Sequence, residues 1–296
     1  MTAPSPRELT EQAALAQHTA ASQRAAECVI REYSTSFRAA TGLLGQPVRR
    51  RVRALYAMVR VADEIVDGAA AGAGLGSEAV GRVLDRYEAD CRAAMATGYS
   101  PDPVLHAFAH AARATGIGAE LVEPFFASMR SDLERTTHDA ESLARYVHGS
   151  AEVVGFMCVR IFVTDRCPEP VAPPPHLEEG ARRLGAAFQQ VNFLRDLAAD
   201  ADGRGRSYLD GGVEDFDDAA RDRVVAGIRA DLAAARAVVE ELPRSSRAGV
   251  LAAHDLFAAL TDRLASTPAS TLRTTRVRVP DAQKAFVVAR AVQRAR

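Results

Sequence analysis

The sequence has almost no net charge and no long apolar run, and each absence argues against a class of protein. Its 37 lysine and arginine residues balance 38 aspartate and glutamate residues. The overall charge therefore gives no reason to expect a nucleic acid or an acidic membrane as partner. No apolar run reaches the roughly 18 residues that suggest a transmembrane helix. We expect no nucleic-acid partner and at most peripheral contact with a membrane.

Cysteine is also scarce, and its spacing excludes the common metal and disulfide frameworks. The chain has four cysteines, with no CxxC pair among them: Cys28, Cys91, Cys158 and Cys167. This pattern is typical of free thiols in a reducing compartment. The first residues lack the basic stretch followed by an apolar segment that marks a secretory signal. We therefore expect a cytoplasmic protein.

The alternation of β-branched residues that indicates strands is scarce, whereas apolar residues recur with helical periodicity nearly everywhere. The predicted helices lie near residues 10–32, 35–44, 48–67, 78–97, 102–114, 118–134, 140–164, 176–200, 214–242, 245–265 and 280–295. The segments between them include three loops rich in glycine or proline, at 68–78, 168–176 and 202–216. None of these loops is long enough to be an interdomain linker. The predicted fold is one all-α domain over residues 1–296, with a core near 20–292 and an N-terminal extension at 1–19.

Two aspartates stand four residues apart in the apolar stretch RVADEIVDG, residues 60–68. Positions i and i+4 share one face of a helix, so Asp63 and Asp67 point the same way. Like charges at this spacing destabilise an isolated helix. A single pair of this kind usually lies on a solvent-exposed helix face. A second pair is needed before a ligand or metal site is favoured.

A second polar stripe runs along the predicted helix 176–200. Gln189, Asn192, Asp196 and Asp200 follow one another at steps of three, four and four. Amides and carboxylates are costly to bury without partners. Mg²⁺ prefers oxygen ligands and binds one or two carboxylates together with water and substrate phosphate oxygens. Two such helices facing each other would hold Mg²⁺ around a diphosphate, with Asp63, Asp67, Asp196 and Asp200 as metal ligands.

Arginines near these aspartates would bind the remaining diphosphate oxygens in pairs, because guanidinium matches phosphate geometry. The candidates on the sequence are Arg60, Arg195, Arg204, Arg206 and the cluster Arg49, Arg50, Arg51 and Arg53.

Five collinear stretches carry a resemblance to a known family. They are YSTSF (33–37), ALYAMVRVADEIVDG (54–68), MRSDLE (129–134), RRLGAAFQQVNFLRDLAADADGRGRSYL (182–209) and RVRVPDAQKAFVVARA (276–291). With them the sequence resembles the squalene/phytoene synthase family. The resemblance implies an α-helical isoprenoid synthase fold with a central cavity, a bound Mg²⁺ cofactor and ionisation of a prenyl diphosphate. It implies that Tyr56 lines the cavity, and that the diphosphate contacts Ser34, Ser36, Arg60, Gln189, Asn192, Arg206 and Tyr208.

One stretch departs from the family pattern. In YVHGSAEVVG, residues 146–155, Glu152 replaces a glycine and His148 replaces an aromatic residue. The two share a helix face, so they form a local ion pair or belong to a rotated helix. Alternatively, Glu152 is a cavity carboxylate whose pKa is raised by desolvation, and it helps to deprotonate an aromatic acceptor held by His148.

The choice at Glu152 separates two reactions. A cavity carboxylate favours the family branch that transfers a dimethylallyl group to an aromatic acceptor such as a carbazole alkaloid. If Glu152 instead faces solvent or a neighbouring helix, head-to-head condensation of two prenyl diphosphates to squalene, dehydrosqualene or phytoene is favoured. A non-catalytic scaffold would have lost its aspartates, and this chain has kept them.

Three smaller sites have ordinary interpretations. His106 and His110 have a spacing that can bind zinc, but without a third ligand we interpret them as core or surface histidines. Asp202 competes with Asp200 for the second metal position. The arginine-rich C-terminal segment is interpreted as a solvated face, with one arginine reaching the active site.

Overall fold

The computed structural model describes residues 5–135, 137–199 and 215–295, which form helices and no strand. The first half contains α1 (Pro6–Tyr33), α2 (Thr35–Gly42), α3 (Gln46–Asp67), α4 (Ala69–Gly72), α5 (Ser77–Thr97), α6 (Pro103–Thr115) and α7 (Ala119–Glu134). The second half contains α8 (Ala140–Val147), a π-helical turn (His148–Glu152), α9 (Val153–Val163), α10 (Pro175–Ala199), α11 (Asp218–Ala237), a 3₁₀ turn (Val239–Glu241), α12 (Arg244–Ala265), α13 (Ala269–Leu272) and α14 (Asp281–Arg294). The predicted all-α fold is confirmed.

The predicted helices all appear, and the differences lie at loops and ends. The loop expected over 68–78 contains the short helix α4. The helix expected over 214–242 already ends at Ala237. Gly68 adopts a φ of 130° directly after Asp67. A residue with a side chain rarely adopts this backbone conformation, so glycine ends α3 one residue after the second aspartate.

α3 lies at the centre of the larger of two apolar clusters. Its buried residues Leu55, Met58 and Ala62 recur at helical spacing and pack with α5, α6, α7 and α9. Phe125 and Phe126, from the stretch LVEPFF, are fully buried in this cluster. The second cluster joins α10 to α11, α12 and α13. The helix of the first aspartate pair, α3, therefore belongs to the first cluster. The helix of the second polar stripe, α10, belongs to the second cluster.

Helix 140–163 lies between α7 and α10, and it approaches the backbone of both closely at glycines. A β-carbon on Gly149 would lie 2.2 Å from the Pro124 carbonyl oxygen of α7. A β-carbon on Gly185 of α10 would lie 2.6 Å from the Ala151 carbonyl oxygen. The Ser128 hydroxyl also donates to the Tyr146 carbonyl at 3.1 Å. Glycine is required on both sides of the π-helical turn because the helices approach so closely.

The same helix is the one described segment, Ala140–Val163, that is long and apolar enough to cross a membrane by length and composition alone. Polar residues interrupt the segment, so it contains no continuous apolar run of that length. It packs against α7 and α10, as a core helix of a globular protein does.

The predicted N-terminal extension is helical from Pro6 onwards. Residues 5–17 are exposed, and α1 first contacts the other helices through hydrogen bonds at His18 and Thr19. Thr19 pairs with the Nε2 atom of His106 at 2.8 Å, and the Ser100 amide donates to its Nδ1 atom at 3.3 Å. His106 is buried, and both its nitrogens are engaged within the protein. These contacts match the core histidine interpretation.

Replacing Gly185 with alanine tests the close backbone contact between α10 and the π-helical turn. The added β-carbon would meet the backbone of Ala151 and Glu152, so we expect a loss of roughly 1–3 kcal/mol of stability. Gly81→Ala on α5 is the matched control, because no atom lies within 4 Å of the added carbon. That control should be neutral or stabilising. Equal melting temperatures of the two variants would contradict the close packing.

Candidate active site

The first aspartate pair occupies the last turn of α3, where Asp63 is held close to other acids. Asp63 is half-buried, and its Oδ2 atom lies 3.9 Å from a guanidinium nitrogen of Arg60. Burial, followed by the negative charge of Asp67, raises the pKa of Asp63 to about 8. The charge of Asp132 raises the pKa further, and Arg60 opposes it. Grouped carboxylate oxygens are the ligands that Mg²⁺ prefers, so the residues fit Mg²⁺.

Asp132 and Tyr146 extend this acidic group and were not predicted as site residues. Asp132 is buried on α7, and its carboxylate accepts a hydrogen bond from the Tyr146 hydroxyl at 2.9 Å. Tyr146 is itself buried on α8, with the His138 ring 5.3 Å away. The sequence signal was present in MRSDLE, where an acid interrupts an apolar helix. The spacing within one helix could not show that Asp132 meets α3.

Arg60 is positioned beside Asp63 with one donor atom to spare. It forms an ion pair with Glu64, and its guanidinium lies 4.6 Å above the Tyr33 ring centroid. Such cation–π contacts favour a partly desolvated arginine. The Nε atom of Arg60 is buried without an acceptor in the part of the chain that the structure describes. An unsatisfied buried donor next to an acidic pair fits a diphosphate oxygen.

The second polar stripe runs along α10, where Gln189, Asn192 and Asp196 are all half-buried. Asp196 is paired with two arginines: Arg195 donates to it at 3.0 Å, and the Nε atom of Arg276 lies 2.7 Å from its Oδ1 atom. Arg276 belongs to the C-terminal segment, so one arginine of that segment does reach the predicted site.

Several predicted residues lie outside the described residues. They are Asp200, Asp202, Arg204, Arg206 and Tyr208. Their roles, and the facing of two complete aspartate motifs, stay predictions. Within residues 5–135, 137–199 and 215–295, no group of three potential metal ligands comes together.

An aromatic wall connects α3 to α10. The Phe37 ring lies 6.0 Å from both the Tyr56 and the Phe188 centroids, and Phe257 of α12 stacks on Phe188 at 3.7 Å. Burial raises the pKa of Tyr56, so its phenol stays neutral. The negative faces of such rings stabilise a positive charge. Tyr56 was predicted to line a cavity. In the structure its ring belongs to one aromatic group with Phe37, Phe188 and Phe257.

The turn between α1 and α2 holds the two predicted serines. Ser34 caps α2 by accepting a hydrogen bond from the Phe37 amide at 3.1 Å, and it also hydrogen-bonds to Tyr56. Ser36 is half-buried on the first turn of α2. Lys284 of α14 brings its ammonium 3.4 Å from the Thr35 hydroxyl. This positive charge near the serines was missed, because the segment RVRVPDAQKAFVVARA gave no hint of where α14 docks.

Glu152 is not an unpaired carboxylate in a cavity. Arg182 of α10 donates to it at 3.0 Å, and the Nδ1 atom of His148 lies 2.9 Å from its other oxygen. His148 is about half exposed, and Arg182 also binds Glu179. The structure therefore corrects the interpretation of Glu152 as a desolvated base, and the local ion pair matches its contacts. The assignments of Glu152 as catalytic and His148 as acceptor-binding lose their physical basis.

The arginine cluster at 49–53 also departs from its predicted role. These residues occupy the first two turns of α3, whereas Asp63 lies in its last turns. Ten residues separate Arg53 from Asp63, which is about 15 Å along a helix. Arg49, Arg50, Arg51 and Arg53 therefore lie away from the aspartates and do not clamp a diphosphate there.

The similarity of this chain to known proteins agrees with this geometry. Residues 30–283 match the model of the squalene/phytoene synthase family. The chain belongs to this family. Among curated relatives, phytoene synthase 3 of Zea mays is 31% identical over 182 residues, or 61% of this chain and 41% of the relative. Phytoene synthase of Daucus carota is 31% identical and matched over 44% of its length. The aligned part thus spans less than half of these plant relatives.

Solved structures share the fold of this family member. A dehydrosqualene synthase in complex with ligand superposes with a TM-score of 0.76 at 18% identity, covering 95% of this chain and 98% of the other. A squalene synthase from Alicyclobacillus acidocaldarius gives 0.71 at 17% identity, covering 87% and 96%. The similarity confirms the isoprenoid synthase fold that the sequence predicted.

The raised pKa of Asp63 predicts how stability changes with pH in metal-free buffer. The folded protein keeps this proton up to about pH 8, whereas an unperturbed aspartate loses it near 3.8. Stability should therefore fall as pH rises through this window. In Asp63→Asn the fall in melting temperature from pH 5 to pH 8 should be smaller, by at least about 2 °C.

Asp90→Asn is the matched control, because Asp90 is exposed on α5. It should keep the pH dependence of the unmodified protein. Adding Mg²⁺ at pH 8 should raise the melting temperature of the unmodified protein and not that of Asp63→Asn, because a ligand stabilises only the state that binds it. The same pH dependence in both variants would contradict the assignment.

Proposed function

We propose that this protein is a Mg²⁺-dependent prenyltransferase that ionises an allylic prenyl diphosphate and condenses two such molecules head to head. The product is dehydrosqualene or phytoene, formed with loss of two diphosphates and two protons, or squalene where a hydride donor is also supplied. The observation that carries the proposal is the acidic group around Asp63, with the unpartnered Nε atom of Arg60 beside it. The chain length of the prenyl group depends on cavity depth.

Asp63, Asp67 and Asp196 would hold the metal, with Asp200 as the predicted fourth ligand. Bound Mg²⁺ supplies charge that stabilises the departing diphosphate. Arg60 binds and orients the diphosphate through its free Nε atom. No protein nucleophile is required, because the second prenyl chain provides the electrons for the new bond.

The aromatic wall of Phe37, Tyr56, Phe188 and Phe257 supports the cationic part of this reaction. These rings join the two aspartate-bearing helices. An allylic cation beside them would be stabilised by their π faces and kept from water. The neutral Tyr56 phenol adds no charge that could trap the cation.

Head-to-head condensation is favoured over aromatic prenylation by the contacts of Glu152. That carboxylate is turned toward Arg182 of α10, so it does not provide a base for an aromatic acceptor. The similar proteins include phytoene, dehydrosqualene and squalene synthases. Transfer of dimethylallyl to a carbazole is the alternative outcome of the experiment below.

The proposed partners are prenyl diphosphates alone, in a cytoplasmic setting. The four cysteines are free thiols in the fold, and the balanced charge favours no nucleic acid. Product hydrocarbons are apolar, so peripheral membrane contact would suit their release.

A product assay tests the proposed function directly. Purified protein with Mg²⁺ receives dimethylallyl, geranyl, farnesyl or geranylgeranyl diphosphate, alone and then with hydroxylated carbazoles or indoles. Mass spectrometry should find a C30 or C40 hydrocarbon from one diphosphate alone. Asp63→Ala should lower turnover by at least about 100-fold, because the metal and its charge stabilisation are lost.

Asp90→Ala is the control, since Asp90 is exposed on α5. Its turnover should match that of the unmodified protein, and circular dichroism should show that both variants stay helical. An acceptor made heavier by one prenyl unit, with no hydrocarbon, would overturn head-to-head condensation. Near-normal turnover of Asp63→Ala would overturn the metal assignment.

Glu152→Gln separates the two reactions at one residue. Because the carboxylate pairs with Arg182 and His148, we expect an unchanged product and a rate within about threefold. The lost charge-assisted hydrogen bonds should lower stability by about 1–3 kcal/mol. Arg182→Gln should lower the melting temperature similarly. A change of product or the loss of acceptor prenylation in Glu152→Gln would show that the carboxylate contacts substrate.

A further inference from the structure

A basic cavity lies between α1 and α3, at the opposite end of α3 from Asp63. Its volume is about 500 Å³, and its walls carry four arginines, Arg24, Arg49, Arg50 and Arg53, against one acid, Glu27. This volume lies within the range of sites that take small molecules. The cavity is therefore large enough for a ligand and strongly positive.

The positive charge in this cavity is mostly uncompensated. Glu27 forms an ion pair with Arg53, whose side chain is only 12% exposed. Arg49 donates to the Gly42 carbonyl at 3.2 Å, which neutralises no charge. Arg24 and Arg50 make no hydrogen bond or ion pair with any residue in the described ranges of the chain. Two free guanidiniums therefore face the same cavity.

The arginines of this cavity lie near the N-terminus of α3, where the helix dipole disfavours positive charge. Arg49, Arg50 and Arg53 lie in the first two turns, and the first turn contains no acidic residue. The N-terminus of a helix carries partial positive charge, so cations there are unfavourable and anions are favourable. A helix that concentrates arginines at this end departs from local stability rules, and such departures occur at functional sites.

The cavity is separate from the diphosphate site at Asp63. Arg53 and Asp63 are ten residues apart on the same helix, which corresponds to about 15 Å. Arg60 lies beside Asp63, forms an ion pair with Glu64 and packs on the Tyr33 ring. An anion bound by Arg24 and Arg50 would therefore not contact the reacting carbons.

We propose that this cavity binds an anionic phosphate group, outside the catalytic centre. Arginine matches phosphate oxygens with paired hydrogen bonds and stays charged at every physiological pH. Two sources share this chemistry: free diphosphate, which the proposed reaction releases, and the headgroup of an anionic phospholipid. The site exists independently of the proposed reaction, since none of its residues belongs to the aspartate group.

Calorimetric titration with inorganic diphosphate, in EDTA to suppress metal-dependent binding at the aspartates, tests the free source. Arg24→Gln combined with Arg50→Gln should weaken binding by about tenfold or more, because two charge-assisted contacts are lost. Arg86→Gln combined with Arg223→Gln is the matched control: both arginines are exposed, on α5 and α11, and the same charge is removed. The control should bind like the unmodified protein.

Sedimentation with phospholipid vesicles tests the lipid source. The unmodified protein should pellet with phosphatidylglycerol vesicles and not with phosphatidylcholine vesicles, and the Arg24/Arg50 variant should lose this binding. A response in this arm identifies a headgroup, and a response in the calorimetric arm alone identifies free diphosphate. Equal behaviour of the two double variants in both arms, or no binding in either, overturns the proposal. Arg24 and Arg50 are exposed, so both variants should melt like the unmodified protein.

Discussion

The mutual repulsion of partly buried carboxylates at the end of α3 is the constraint on which the rest of the site depends. Asp63 lies near Asp67 and Asp132, away from full contact with water, and its pKa is raised to about 8. The raised pKa keeps the proton on Asp63 in the folded protein, and a bound cation would relieve the same repulsion. Arg60 relieves part of it and retains an unsatisfied donor. The acids, the arginine and the aromatic wall are therefore arranged as the proposed metal and departing diphosphate would require.

The two aspartate stripes are balanced differently. On α3 the acids reinforce one another, and one arginine opposes them. On α10, Asp196 is neutralised by Arg195 and Arg276. A metal that bound Asp196 would have to displace these two arginines. Arg60 would not have to move in this way, because it already contacts Tyr33 and Glu64. The freed Arg195 and Arg276 would then be close to any diphosphate that the metal holds.

The helices could be predicted because periodicity, glycine ends and proline starts are local signals. The first aspartate pair could be predicted for the same reason, since i,i+4 spacing fixes a shared face. The pairing of Glu152 with Arg182 could not be predicted, because Arg182 lies thirty residues away on another helix. The electrostatic interaction between Asp132 and Asp63 could not be predicted for the same reason, because the two residues lie on different helices. The misplacement of Arg49 to Arg53 was avoidable, because counting residues along one helix already puts them about 15 Å from Asp63.

The glycine contacts of helix 140–163 have a consequence for which of its side chains can vary. α3 packs on α7 and α9, and α10 packs on α9 and on the π-helical turn. The spacing of the two aspartate-bearing helices is therefore set by main-chain thickness at Gly149 and Gly185. Exposed side chains of this helix, such as Glu141 and Arg145, can change size or polarity without altering these backbone contacts. Backbone spacing and surface chemistry are in this way separable traits of one helix.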